Sequence, residues 1–186
     1  MTEQELIRGL RAHEEESFRW LVENYQAPVY NTVLGIVQSA SDAEDIAQEV
    51  FIQIFRSIDQ FKGESKLSTW VYRIATTKSL DFLRSKKSKK RFAFLHRLGL
   101  PGEDREMDIP EFHHPGVAAE QKETAALLFR AIAKLPDNQK TAFILTRLEQ
   151  LSHAETSNIM KITVPAVESL LHRARINLKK FLENEV

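Results

Sequence analysis

Between residues 61 and 78 the sequence interleaves cations with aromatic rings: Lys62, Lys66, Arg73 and Lys78 surround Trp70, with Phe61 close by. Lysine and arginine neutralise phosphates, and a flat aromatic face stacks on an unpaired base at roughly 1–3 kcal/mol per base. That combination suits single-stranded nucleic acid. The same two rings would serve equally well as core residues, so the pattern leaves both readings open.

A second pattern lies near the C-terminus. Ser152-His-Ala-Glu155 has the form of a capping box, in which serine and glutamate side chains reciprocally satisfy helix-end N–H groups, and it opens a short helix through Met160. Lys161-Ile-Thr163 makes a turn, and Pro165 sits in the first turn of the next helix, where its missing N–H costs little. Val167, Leu171, Ala174 and Leu178 form that helix's apolar stripe, with Glu168, His172, Arg175 and Lys179 opposite. Two helices joined by a three-residue turn, the second basic toward its end, describe a helix-turn-helix that places its second helix on duplex DNA. Helical hairpins of this spacing also occur as plain packing units.

A third pattern mixes acids with apolar groups. Asp45, Gln48, Glu49, Ile52 and Phe55 fall on one side of a helix whose other side carries Ile46, Ala47, Val50 and Ile54. Apolar groups where water is expected point to a protein partner.

Enzyme chemistry finds no support. Zero cysteines exclude disulfides, thiolate catalysis and cysteine-ligated zinc. His113-His114 beside Glu111 lacks a third placed ligand, and neither a Gly-rich phosphate loop nor a nucleophile motif occurs. The expectation is a non-enzyme with no metal and no cofactor, acting through shape and charge.

The equal totals of 26 basic and 26 acidic residues hide a segregation. Residues 1–55 sum to −7, 56–97 to +9, 98–125 to −5 and 126–186 to +3. An acidic block beside a basic one suggests one surface for a basic protein and another for a polyanion, although a charge run is ordinarily just a solvated helix face. No apolar run reaches the roughly 18 residues of a membrane span, and Glu3 and Glu5 near Met1 do not suit a signal peptide, so a cytoplasmic protein is expected.

The elements that position these groups all read as helices. The periodicity predicts a helix over Glu3 to Leu10, then a longer one carrying Phe18, Leu21, Val22, Tyr25, Val29, Val33 and Ile36, with Pro28 placed to kink it. Ser41 and Glu44 form a capping box for a helix to about Arg56. Asp59 to Ser68, with Gly63, reads as a loop before a helix from Thr69 to Arg91. On that helix Val71, Ala75 and Phe82 face the core, while Trp70, Arg73, Thr77 and Arg84 project elsewhere. Residues 92–117 carry Gly99, Pro101, Gly102, Pro110, Pro115 and Gly116 and read as a linker. A second helical unit runs from Ala118 to Lys134 and from Pro136 to about Glu149, then into the helix-turn-helix. The fold class is all-α: two small helical domains, 1–91 and 118–186, joined by a flexible linker.

Four stretches together resemble a known family. They are Asp42-Ala-Glu-Asp-Ile-Ala-Gln-Glu-Val-Phe-Ile-Gln-Ile-Phe55, Phe61-Lys-Gly-Glu-Ser-Lys-Leu-Ser-Thr-Trp-Val-Tyr-Arg-Ile-Ala75, Leu135-Pro-Asp-Asn-Gln-Lys-Thr-Ala-Phe143, and Leu151 to Leu178. In this order, across nearly the whole chain, they resemble the extracytoplasmic-function group of the sigma-70 family of bacterial RNA polymerase sigma factors.

The resemblance implies a first domain that binds core RNA polymerase through Asp45, Gln48, Glu49, Ile52 and Phe55. It implies contacts to promoter −10 DNA, as duplex and as the opened non-template strand, through Phe61, Lys62, Ser65, Lys66, Ser68, Thr69, Trp70, Arg73, Thr77 and Arg84. The second domain would read the −35 element through Thr163, Pro165, Ala166, Ser169, His172, Arg173 and Arg175. An anti-sigma factor is the regulatory partner the family suggests, and the acidic linker would thread through the polymerase. The sequence departs from the family pattern at Thr77, where asparagine is usual, at Lys161, where glycine is common, and at Glu168 and Leu170, where basic residues are common. The rival reading is a free-standing helix-turn-helix regulator that binds duplex DNA without polymerase.

Overall fold

The computed structural model describes residues 1–96 and 119–183, and the side chains of 1–89 and 126–183. No strand occurs among the described residues. Eight α-helices follow in order: α1 Glu3–Arg11, α2 Glu15–Val37, α3 Ala40–Ser57, α4 Leu67–His96, α5 Ala119–Ala133, α6 Asp137–Phe143, α7 His153–Met160 and α8 Val164–Glu183. A 3₁₀ turn, Ile58–Gln60, follows α3, and a π-helical turn, Ile144–Leu148, extends α6.

Most of the expected helices are present, with informative shifts at their ends. Helix α1 opens on a capping box of Thr2 and Glu5. Helix α2 runs unbroken through Pro28 and stops where Gln38 turns left-handed at φ 60°. The cap of α3 is Ser39, not Ser41: its side chain accepts the Asp42 amide at 3.4 Å, so the helix starts one residue before Ser41. Helix α4 begins at Leu67, two residues early, because the Glu3 carboxylate accepts the Leu67 amide at 2.9 Å and supplies the missing cap from α1. It continues to His96, so residues 92–96, expected in the linker, are helical. The remainder of the expected linker, including Glu111, His113 and His114, lies outside the described residues.

The second half departs in one place. A single helix was expected to run to Glu149, but the backbone widens to a π-helical turn over Ile144–Leu148, burying Ile144 and Leu145. The Ser152–Glu155 capping box forms as expected, with reciprocal bonds of 3.2 and 3.0 Å. Lys161 adopts the left-handed conformation at φ 54° that glycine takes most cheaply, and Val167, Leu171, Ala174 and Leu178 are all buried. A non-glycine residue in that conformation costs roughly 1 kcal/mol.

The core does not divide cleanly at the linker. One cluster gathers Leu10, Leu21, Val29, Val33, Val50, Ile54 and Val71 from α1 to α4, and includes Phe129 of α5. A second gathers Ile132, Leu135, Ile144, Ala174 and Leu178, and includes Ile36 of α2. The two halves are packed face to face.

Candidate nucleic-acid interface

The exposed side of α3 follows from its period. Ala43, Ile46, Ala47, Val50 and Ile54 are buried against α2 and α4, which leaves Asp45, Gln48, Glu49, Ile52 and Phe55 all outside. Ile52 remains 49% exposed and Phe55 44%. The Phe55 ring is steadied by Phe18, edge-on at 5.0 Å between centroids, and by His13 at 4.9 Å. Beside Ile52, a groove of about 730 Å³ opens between α2 and α3, lined by Val22, Gln26, Tyr30, Gln48 and Phe51. Acids, an apolar ridge and an apolar groove therefore share one face.

The cation-and-ring segment is held between α1 and α4. The Arg11 guanidinium donates to the Phe61 carbonyl at 2.5 Å, and Glu3 caps Leu67. Gly63 sits at φ 75° with open space around it, so the tip turns without crowding. Of the two readings open for the rings, Phe61 takes the packing one. It is 3% exposed, as is Thr69, and both face the interior, so neither offers a surface to DNA. Trp70 is half-buried, its ring 5.3 Å from that of Phe61. Lys62, Lys66, Thr77 and Arg84 are exposed, while Ser65, Ser68 and Arg73 are partly so.

Most of these cations have protein partners, and the partners show how the charge blocks meet. Lys78 pairs with Glu49 at 3.0 Å and Lys86 with Asp42 at 2.9 Å, joining the basic α4 to the acidic α3. Arg84 pairs with Asp81 on its own helix at 2.8 Å. Four contacts run instead to the second half, one of them Lys87 to Asp137 at 2.5 Å. Lys66 meets Glu155 at 2.9 Å, the Arg73 Nη2 donates to the Asn158 carbonyl at 3.0 Å, and the Tyr72 hydroxyl donates to Glu149 at 2.8 Å. Glu155 is held at about 2, chiefly by its bonds to Lys66 and Ser152. Glu149 is raised by burial, and burial with the neighbouring Glu149 carboxylate raises the Tyr72 phenol. Neither Tyr72, Glu149 nor Asn158 was singled out in the sequence, and Glu155 was read only as a cap.

On α8 the outer face is open. Thr163, Pro165, Ser169, His172, Arg173 and Arg175 are exposed and Ala166 partly so. The Thr163 hydroxyl accepts the Ala166 amide at 3.3 Å, starting the helix. With about 100° per residue, Pro165, Ala166, Ser169 and Arg173 share one strip and Arg175 turns off it. Arg175 instead lines a groove with Phe143, Leu171 and Leu178. Glu168 leans toward α7, its carboxylate 3.5 Å from His153 Nδ1.

Among the described residues no helix is long and apolar enough to cross a membrane, and no group of three metal-ligating side chains is placed around a common point.

Known proteins match this arrangement along its length. The family model for Sigma-70 region 2 matches residues 21–89, and the model for Sigma-70, region 4 matches residues 125–178. The ECF RNA polymerase sigma factor SigW of Bacillus subtilis is 30% identical over 96% of this chain and 95% of its own. The ECF RNA polymerase sigma-E factor of Escherichia coli is 30% identical over 94% and 91%. Among solved structures, CnrH in complex with the cytosolic domain of CnrY superposes with a TM-score of 0.70 at 18% identity, covering 99% of both chains. The sigma factor RpoE in complex with the anti-sigma factor NepR from Bartonella quintana gives 0.67 at 17%, covering 90% and 98%, and at these identities the two likenesses bear on the fold alone. The regions match in order, and curated relatives match nearly end to end. The chain belongs to the extracytoplasmic-function group of sigma-70 family RNA polymerase sigma factors.

Proposed function

We propose that the chain binds core RNA polymerase, directs it to promoter −10 and −35 elements and promotes DNA opening, in the cytoplasm and by binding rather than catalysis. The α3 face carries the reading: Ile52 and Phe55 stand roughly half exposed beside acids and a groove. Exposed apolar groups beside acids suit a factor that docks on a large protein partner.

In this reading residues 1–91 form the polymerase and −10 unit, 92–117 the connection and 118–186 the −35 unit. Asp45, Gln48, Glu49, Ile52 and Phe55 dock on the polymerase. Lys62, Lys66, Trp70 and Arg73 hold the non-template strand, with Thr77 and Arg84 on the upstream duplex. Phe61 acts from beneath, packed against Trp70, and Thr69 is buried. On α8 the strip of Pro165, Ala166 and Ser169 meets base edges, while His172 and Arg173 meet phosphates. An anti-sigma factor is the regulatory partner to look for.

Run-off transcription with purified core enzyme and genomic promoter fragments tests the function, and it is expected to give transcripts that depend on adding this chain. Charge reversal at Asp45 and Glu49 together is expected to abolish co-elution with core at unchanged helicity. Normal co-elution of that double variant would remove α3 from the interface, and core-independent duplex binding at the same sites would favour the regulator.

A further inference from the structure

We propose that Glu168 reads one base of the −35 element, its carboxylate accepting a hydrogen bond from the N4 amino group of a cytosine in the major groove while His153 sets its direction. This inference rests on the reading of α8 as the −35 helix.

A recognition helix meets base edges with its N-terminal part, here the first two turns, residues 164–171. That stretch is Val164-Pro-Ala-Val-Glu-Ser-Leu-Leu171, in which only Glu168 and Ser169 carry polar side chains. Val167 and Leu171 are buried, whereas Glu168 and Ser169 are exposed. Glu168 is therefore the one long hydrogen-bonding side chain available where bases are read, and that side chain is 58% exposed. At about 100° per residue it flanks the strip of Pro165 and Ser169 on the side of α7, and its length offsets the lateral position.

Arg173, Arg175 and Lys179, exposed on the following turns, are cations that suit a polyanion. An acid ahead of them is repelled by the same phosphates, so it must gain something in the groove. What it can gain is narrow, because an ionised carboxylate accepts hydrogen bonds and cannot donate them. Guanine N7 and O6 and thymine O4 are acceptors and repel it. Adenine sets its N7 acceptor beside its N6 donor, while cytosine offers the N4 donor with no acceptor of its own in the groove. Cytosine is the base that fits.

The surroundings of the carboxylate leave it free to act. His153 is the first residue of α7, fixed by the Ser152–Glu155 capping box, and its Nδ1 lies 3.5 Å from the Glu168 Oε1. At that length the contact is loose, yet it confines the side chain to one arc. The other oxygen, Oε2, has no hydrogen-bond partner among the described residues. One oxygen is steadied and the other is left to accept from outside.

Selection of bound duplexes from a library randomised across the −35 element, using holoenzyme with the full chain, reads the base preference at every position. The parent is expected to favour cytosine at one position by roughly tenfold over the other bases. Glu168→Gln offers an amide that pairs with adenine N6 and N7, and is expected to move that position from cytosine to adenine with the rest of the motif intact. Glu168→Ala is expected to flatten the position to within twofold, partly by raising binding to the other three bases once the repelled carboxylate is gone. His153→Ala is expected to lower the cytosine preference about threefold at the same position; an unchanged preference there overturns its positioning role. Co-elution of each variant with core polymerase and its thermal midpoint show that it is folded and assembled. An unchanged motif in both Glu168 variants overturns the proposal, as does a responding position that holds another base than cytosine in the parent. Uniform weakening of every duplex also overturns it, since that is what loss of a purely structural contact with His153 would give. In each of these cases the −35 reading of α8 stands if Ser169→Ala still changes the motif. If neither Ser169→Ala nor the Glu168 variants alter any position, the reading of α8 fails instead.

Discussion

Phe55→Ala separates docking from folding on α3. The side chain is 44% exposed, and a phenylalanine presents roughly 200 Å² in all, so about 90 Å² remains to be covered by a partner. At ~25 cal/mol per Å² this is about 2 kcal/mol, or ~30-fold in Kd for core polymerase, an upper figure because docking also orders neighbouring side chains. The covered part of the ring rests on Phe18 and His13, so the substitution also costs folding stability, by about 1–2 kcal/mol. Ile54→Ala is the control. That side chain is fully buried, and its truncation costs about 2–5 kcal/mol of folding while leaving the outer face intact. Anisotropy titration of labelled factor with core, beside urea unfolding of each variant, resolves the two effects. Phe55→Ala is expected to weaken binding while remaining folded, and Ile54→Ala to lose stability but bind normally wherever it is folded. Equal core affinity of Phe55→Ala and the parent, within twofold, would refute the assignment of this face.

Other consequences can be measured independently. Trp70→Ala is expected to impair promoter opening more than initial binding, read as permanganate reactivity of promoter thymines at matched occupancy; undiminished reactivity would leave the ring a packing residue beside Phe61. Arg173→Ala is expected to lower the salt slope of −35 duplex binding by roughly one unit with equal loss across promoter variants, whereas Ser169→Ala changes which variants are preferred. An altered preference in Arg173→Ala with an intact slope would make it a base reader. Two carboxylates at the joint respond oppositely to pH. Glu155 is held at about 2, below its ordinary 4.5, so its contribution is present above 4.5 and lost as pH falls through 2. Glu149 is raised, so its contribution is full below 4.5 and lost as pH rises through its folded value. The urea unfolding midpoint is therefore expected to fall more steeply in the parent than in Glu149→Gln as pH rises above 4.5 through the raised folded value of Glu149; parallel pH curves would remove Glu149 from the joint.

Local chemistry was legible in the sequence wherever the determining groups were neighbours. The helix-turn-helix could be read because its cap, its turn and its stripe of Val167, Leu171, Ala174 and Leu178 all lie within one short stretch. The cap of α3 was misplaced because Ser39 and Ser41 both precede an acid by three residues, and only backbone geometry decides which serine stands outside the helix. The start of α4 was misplaced for a different reason: its cap, Glu3, is distant in sequence. Phe61 was ambiguous in principle, since a ring among cations can stack on a base or plug a core. The Arg11 bond to its carbonyl helps fix the segment in which its ring is buried.

What the sequence could not yield was the contact between the halves, because no periodicity links Tyr72 to Glu149 or Lys66 to Glu155. One trace of it was nonetheless present. Gly35 lies inside a long helix, where glycine costs roughly 1 kcal/mol relative to alanine, and such a residue usually marks a close approach by something else. Here that neighbour is Ile144 of the π-helical turn. The charge blocks carry a related lesson. An acidic run beside a basic run suits two outside partners or a solvated face, and here Glu49 and Asp42 also hold Lys78 and Lys86, and Glu155 holds Lys66. Exposed pairs of this kind are worth at most about 1 kcal/mol each. That is weak enough for a polyanion or a protein partner to displace them, as the proposed function requires of the same side chains.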